Sequence, residues 1–205
     1  MEFYEQQLQL PVKITSKTTF QVQLGFSVLE FQEQEAATPY HIAFHIPANQ
    51  EQEALEWLKQ RVEILKDEDE EIIDFPGWNA KSIYFYDRDK NILELISRRH
   101  CFPSEGETFS SENLLGISEI GVATNNVKGI FDFLQEHTGL EKFTGDYERF
   151  CATGDDEGLF IVINKNKKDW IPTGDKAYSS GFEIKLTSDS GETKLKFKND
   201  RLQLL

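Results

Sequence analysis

The sequence is poor in the features that announce many common functions. It has two cysteines, Cys101 and Cys151, and neither sits in a CxxC or beside a histidine. Two such residues make no disulfide framework, so both read as free thiols in a reducing compartment, one of them buried. There is no Gly-rich phosphate loop, no GxSxG and no HExxH, which removes the simplest routes to nucleotide binding, serine hydrolysis and zincin chemistry. No run approaches the roughly 20 apolar residues that span a bilayer as a helix. The opening MEFYEQQLQL has neither a basic n-region nor an apolar h-region, so the expectation is no signal peptide and a cytoplasmic location.

Positive charge is also scarce. The 22 Lys and Arg stand against 36 Asp and Glu, for a formal net charge of -14. Such a chain repels phosphate backbones and anionic lipid surfaces, so neither a nucleic acid nor a membrane is expected as a partner. Part of the acid sits in one run, KDEDEE, from Lys66 to Glu71. That run reads as a solvated loop in preference to a cation site.

What is present suffices for a packed protein. At 205 residues, 39% hydrophobic and 12% aromatic, the chain can build one compact unit or two small ones. Three stretches carry a hairpin signature, two apolar or alternating runs around a turn with Gly, Asp or Asn. They are TFQVQLGFSVLEFQ, SIYFYDRDKNILELIS and RFCATGDDEGLFIVIN. Upstream of the second and third lie a strand-like run and then a helix-like one. YHIAFHIP precedes NQEQEALEWLKQRVEI, in which Ala54, Leu55, Leu58, Val62 and Leu65 share a helical face; ISEIGVATNN precedes VKGIFDFLQEHTGL, which Gly139 is placed to stop. EEIIDFP and LEKFTGD supply one further strand each.

The repeating unit is strand, helix, strand, strand, strand. The spacing predicts a partial first module over 1–35, with MEFYEQQLQLPV as the end of its helix. A second module runs over 36–102, a third over 114–166, and a strand extension over 167–205. The polar PSEGETFSSEN, Pro103–Asn113, is the expected boundary between the second and third.

On Tyr40–Pro47, the helix with Trp57 and above all Ile83–Glu94, the chain resembles the vicinal oxygen chelate superfamily. That group includes glyoxalase I, the fosfomycin and bleomycin resistance proteins and the extradiol dioxygenases. The resemblance implies an α+β fold of repeated βαβββ modules forming curved mixed sheets, with the first module truncated. It also implies a divalent metal, zinc, iron, manganese or nickel, held by ligands from the first and last strands of the modules. His41 and Glu94 match those positions in the middle module, and Glu30 matches Glu94 in the first. In the third module Glu119 takes the place of His41 and Ile161 that of Glu94, so that module is not expected to repeat the site. A carboxylate between Leu93 and Leu95 needs a cation or hydrogen-bond donors opposite it, because burying it bare is costly.

Under this resemblance the chain acts on a small oxygen-rich or aromatic substrate, with Glu94 or Glu30 moving a proton. Tyr84, Tyr86, His45 and Trp78 would line the substrate site, His45 also fitting a place at the rim. The chain departs from the ring-cleaving pattern. After Tyr84 and Asp87 it has Arg88 where proline is usual and Lys90 where glycine is usual, and DFPGWNAK holds no histidine. Two other readings stay open: a metal-free drug-binding protein with an aromatic cleft, and a degenerate scaffold. A monomer and a homodimer are both compatible with an odd number of modules.

Overall fold

A computed structural model describes residues 1–104, 106 and 108–205 of the chain. The expected boundary Pro103–Asn113 includes Glu105 and Glu107, which lie outside the described residues. Two compact units form. One comprises Met1–Ala37 and His41–Ser118, the other Thr38–Tyr40 and Glu119–Leu205.

The first unit opens with a π-helical turn, Phe3–Gln7, whose Phe3 and Tyr4 are buried. Strands β1 (Val12–Ile14), β2 (Thr19–Leu24) and β3 (Ser27–Gln32) follow as an antiparallel sheet. This stretch, expected as the partial first module, has a helical turn and three strands. The β2–β3 turn depends on Gly25. Its φ is +47°, and a Cβ there would stand 1.9 Å from the Leu115 carbonyl oxygen. Only glycine meets both conditions without displacement.

Next come β4 (His41–Ile46), α1 (Glu51–Lys59), β5 (Ile64–Leu65), β6 (Ile73–Phe75), β7 (Ala80–Tyr86) and β8 (Ile92–Arg98). β4 and β8 pair in parallel, and β7 pairs antiparallel with β8, β5 and β6. Every residue of β4 and β8 is buried. Strands covered on both faces read as near-continuous apolar runs, and a polar residue within them is the informative exception. α1 ends at Lys59, earlier than the periodicity predicts. Arg61 and Val62 both donate to the Leu58 carbonyl, and the chain then turns into β5, where Ile64 lies opposite Phe85. Val62 and Leu65 therefore leave the helix because pairing to β7 overrides helical spacing.

β9 (Gly116–Thr124) leads into the second unit, with α2 (Val127–Thr138), β10 (Lys142–Gly145), β11 (Phe150–Asp155) and β12 (Gly158–Asn164). β12 pairs in parallel with β9 and antiparallel with β11, which pairs with β10. Asn126 caps α2 by accepting from the Gly129 N–H at 3.0 Å. Gly139 ends it at φ +72° in the left-handed region, donating to the Gln135 carbonyl, as the sequence predicts.

The tail forms β13 (Phe182–Ser188), β14 (Gly191–Lys198) and β15 (Arg201–Leu204), a three-stranded antiparallel sheet. Its Leu195, Phe197 and Leu202 join Val127, Ile130, Phe131 and Leu134 of α2 and Val122, Phe160 and Val162 beneath. α2 is thus sandwiched between module and tail, which gives the tail strands an apolar face to bury. Among the described residues no helix is long and apolar enough to cross a membrane.

Candidate metal centre

Side chains alternate across a strand, so register decides which residues meet. On β8, Leu93 and Leu95 lie on one face, and Ile92, Glu94, Ile96 and Arg98 on the other. Cross-strand pairing sets Glu94 between Ala43 of β4 and Tyr84 of β7. The rows on either side are His41, Ile92 and Tyr86, and His45, Ile96 and Ser82. One face of the sheet therefore carries two imidazoles, a carboxylate, two phenols and a guanidinium, together with the small Ala43 and Ser82.

Glu94 is 2% exposed and His41 6%, and His41 Nε2 lies 3.4 Å from Glu94 Oε2. Two donors about 2.1 Å from one ion at the tetrahedral angle are about 3.4 Å apart, so the observed spacing suits a shared cation. Burial pushes the Glu94 carboxyl up to about 7, although Ser82, Tyr84 and the Arg98 charge pull it back. Burial pushes His41 down to about 4, against a hydrogen bond to the Ile92 backbone. The pair is therefore not an ion pair in the ordinary sense, because near neutral pH the imidazole carries no charge. A neutral imidazole beside a carboxyl held up by desolvation is a donor set that fits a divalent ion, which takes the neutral base and displaces the acid proton.

The other expected residues divide. Tyr84 is buried, its ring 6.3 Å from the His41 ring and nearly parallel to it. Tyr86 is half-buried under the Lys90 ammonium, 4.5 Å from its centroid. Trp78 follows β6 in a 3-10 turn and packs with Phe75 on Ala43, Ala80 and Ile96. His45 is no rim residue. It is fully buried, 4.8 Å from the Phe102 ring and 6.4 Å from Phe26.

Glu30 is a correction. It sits on the exposed face of β3, where its carboxylate accepts from Gln21 Nε2 at 2.7 Å. A solvated carboxylate on that face lacks the burial that sets Glu94 apart, and Glu30 leaves the candidate set. Sequence reasoning undervalued Glu119. In the second unit it is 3% exposed and lies opposite Leu159, with Gly121 opposite Ile161. This repeats the offset by which His41 lies opposite Ile92 and Ala43 opposite Glu94, so Glu119 holds the place of His41. Arg98 was missed altogether, although the alternation in ELISR puts it on the Glu94 face.

No protein-family model and no curated protein matches the chain. Solved structures do. A provisionally named dioxygenase from Bacillus subtilis matches 79% of this chain with a TM-score of 0.55 at 15% identity, over 58% of its own length. The fold is the vicinal oxygen chelate fold. Two further structures with this fold are a glyoxalase I variant from Zea mays and a fosfomycin resistance protein from Listeria monocytogenes complexed with Mn(II) and sulfate. The first is 13% identical over 78% of this chain and 61% of that one, with a TM-score of 0.48. The second is 24% identical over 47% of this chain and 76% of that one, with a TM-score of 0.37. The chain thus spans less than two thirds of the length of the dioxygenase and the glyoxalase.

Proposed function

We propose that this protein binds a divalent metal ion through His41 and Glu94 and acts on a small oxygen-rich or aromatic substrate in the manner of glyoxalases and dioxygenases. The observation that carries the reading is the buried His41–Glu94 pair at 3.4 Å on neighbouring strands. Those two side chains are of the mixed nitrogen and oxygen type that zinc, iron, manganese and nickel accept.

When bound, such an ion would act as a Lewis acid toward one or two adjacent substrate oxygens. The chain's own residues define the rest. Tyr84, whose side chain hydrogen-bonds Glu94, would hold that carboxylate in place for the ion. Phe75 and Trp78 pack on Ala43, Ala80 and Ile96 and would exclude water from that side. Without an ion the Glu94 carboxyl is held up to about 7 by burial, so ion binding near neutral pH would release its proton. The reaction class is an isomerisation, a lyase-type step or an oxygenation.

The test is elemental analysis of protein purified without chelator, beside His41→Ala and Glu94→Gln. Near-stoichiometric metal in the parent and strong loss in the His41 and Glu94 variants are expected. Equal metal in parent and His41→Ala overturns the proposal.

A further inference from the structure

Strand β3 is an edge of its sheet, and among the described residues no strand pairs with it on the side away from β2. Two other hairpins do not leave that edge open. β4 lies parallel on β8 and β9 parallel on β12. Leu93 and Leu95 thus lie opposite Ile42 and Phe44, and Phe160 and Val162 opposite Ile120 and Val122. Those four residues of β8 and β12 are buried, whereas Leu29 and Phe31 of β3 are half-buried and Val28 is 52% exposed. The Gln23 N–H donates to the Pro11 carbonyl at 2.9 Å, toward β1, so Gln23 and the opposite Val28 are not bonded to one another. Antiparallel alternation then directs the N–H and C=O of Val28, Glu30 and Gln32 to the open side. Such a row is a template for another strand. β3, SVLEFQ, has no Pro, no Lys and no bulge to block it.

We propose that the open edge of β3 takes up an extended segment of another protein as a parallel strand, with apolar residues beside Leu29 and Phe31 and a lysine or arginine beside Glu30. In strand addition the backbone supplies affinity and alternate side chains supply specificity. On one face Phe31 stacks on Phe20 at 5.0 Å and meets the Tyr4 ring at 4.8 Å, an apolar layer that the incoming side chains extend. On the other face Glu30 accepts from Gln21 Nε2, and a carboxylate has capacity for a further donor. Charge complementarity sets the sign of the partner. Glu33 and Glu35 follow Glu30, and no Lys or Arg occurs between Lys17 and Lys59. A second copy brings the same acids to the edge and is the poorer match.

The test titrates the full chain with a short peptide in which isoleucine and lysine alternate, a glutamate-for-lysine version, and a version N-methylated at alternate residues. Binding and amide exchange are read by nuclear magnetic resonance at fixed ionic strength. The lysine peptide is expected to slow exchange at Val28, Glu30 and Gln32, with Leu29 and Phe31, already bonded to β2, changed little. A spin label at its N-terminus is expected to broaden Val28 more than Gln32, as a parallel strand requires. Val28→Pro removes one outward N–H and leaves the β2 ladder whole, and is expected to weaken binding by about fivefold or more. Glu30→Lys, a surface change that keeps the fold, is expected to cut the preference for the lysine over the glutamate peptide by about fivefold. N-methylation is expected to abolish binding. Slowed exchange at none of the three amides, equal binding of the N-methylated peptide, or unchanged binding in both variants overturns the proposal. Broadening strongest at Gln32 overturns the parallel orientation. Slowing of the same amides with protein concentration alone assigns the edge to a second copy and overturns the stated partner.

Discussion

The Tyr4 hydroxyl donates to Asp87 Oδ2 at 2.7 Å, and both residues are buried. Asp87 also accepts from the backbone of Asp89 and Asn91 and from the Asn91 amide, at 3.0, 2.9 and 2.7 Å. One carboxylate thus ties the N-terminal turn to the tight connection between β7 and β8, the hairpin that delivers Glu94. Asp87→Ala strips all these donors of their acceptor and is expected to cost about 3–5 kcal/mol. Tyr4→Phe leaves the carboxylate its three other donors and is expected to cost about 1–2 kcal/mol. Urea unfolding of both variants checks the order. A Tyr4→Phe protein as unstable as Asp87→Ala would show that the phenol, and not the turn, dominates.

The same turn departs from the ring-cleaving pattern at Lys90, and the structure shows what the departure entails. Lys90 sits at φ +63°, in the left-handed region where a Cβ costs about 1–2 kcal/mol and glycine costs little. Its ammonium over Tyr86 at 4.5 Å offsets part of that, by about 0.5–1 kcal/mol for a partly exposed pair. Lys90→Gly is therefore expected to stabilise the protein by about 0.5–1 kcal/mol, read as a higher midpoint in thermal unfolding. A lower midpoint would mean that the Tyr86 contact outweighs the backbone strain.

Gly25 presents the opposite case. Its φ is positive, and any Cβ at this position would fall 1.9 Å from the Leu115 carbonyl oxygen, which leaves no room for a side chain. Gly25→Ala is expected to lose about 2–4 kcal/mol, with the change carried by the urea midpoint and not by its slope. An alanine variant within about 0.5 kcal/mol of the parent would show that the hairpin tip moves freely away from Leu115.

Much of this was legible in the sequence, and the limits have physical causes. The strands β4, β7, β8, β11 and β12 follow from alternation and turn residues, and α2 from its cap and Gly139. His41 and Glu94 were legible because polar residues inside apolar strands stand out. Glu30 misled because its strand alternates like the others, and sequence alone does not say which face of a sheet is covered. Arg98 was hidden for the converse reason. Placed beside Arg99 at a strand end, it looks like a solvated charge until β8 is known to be buried throughout. α1 shortened because β7 captured Ile64 and Leu65, a tertiary pairing that no local periodicity records.

The His41–Glu94 pair makes a final prediction about acidity, whose sign differs for its two members. Glu94 is raised from 4.5 to about 7 in the folded protein. Between those values the folded state keeps a proton that the unfolded state releases, so stability falls as pH rises through the window. His41 is lowered from 6.5 to about 4. Between those values the unfolded state keeps a proton that the folded state lacks, so stability rises with pH. Each effect amounts to about 3 kcal/mol, and over the shared range they oppose one another. With chelator present, the parent is expected to show little pH dependence from this pair across that range. Glu94→Gln should leave only the rise and His41→Ala only the fall, as measured by urea unfolding at a series of pH values. Added divalent metal should stabilise the parent more as pH climbs toward 7, since Glu94 must release its proton to bind an ion. Slopes of the same sign in the two variants would mean that the carboxyl and the imidazole are not buried together as the structure has them.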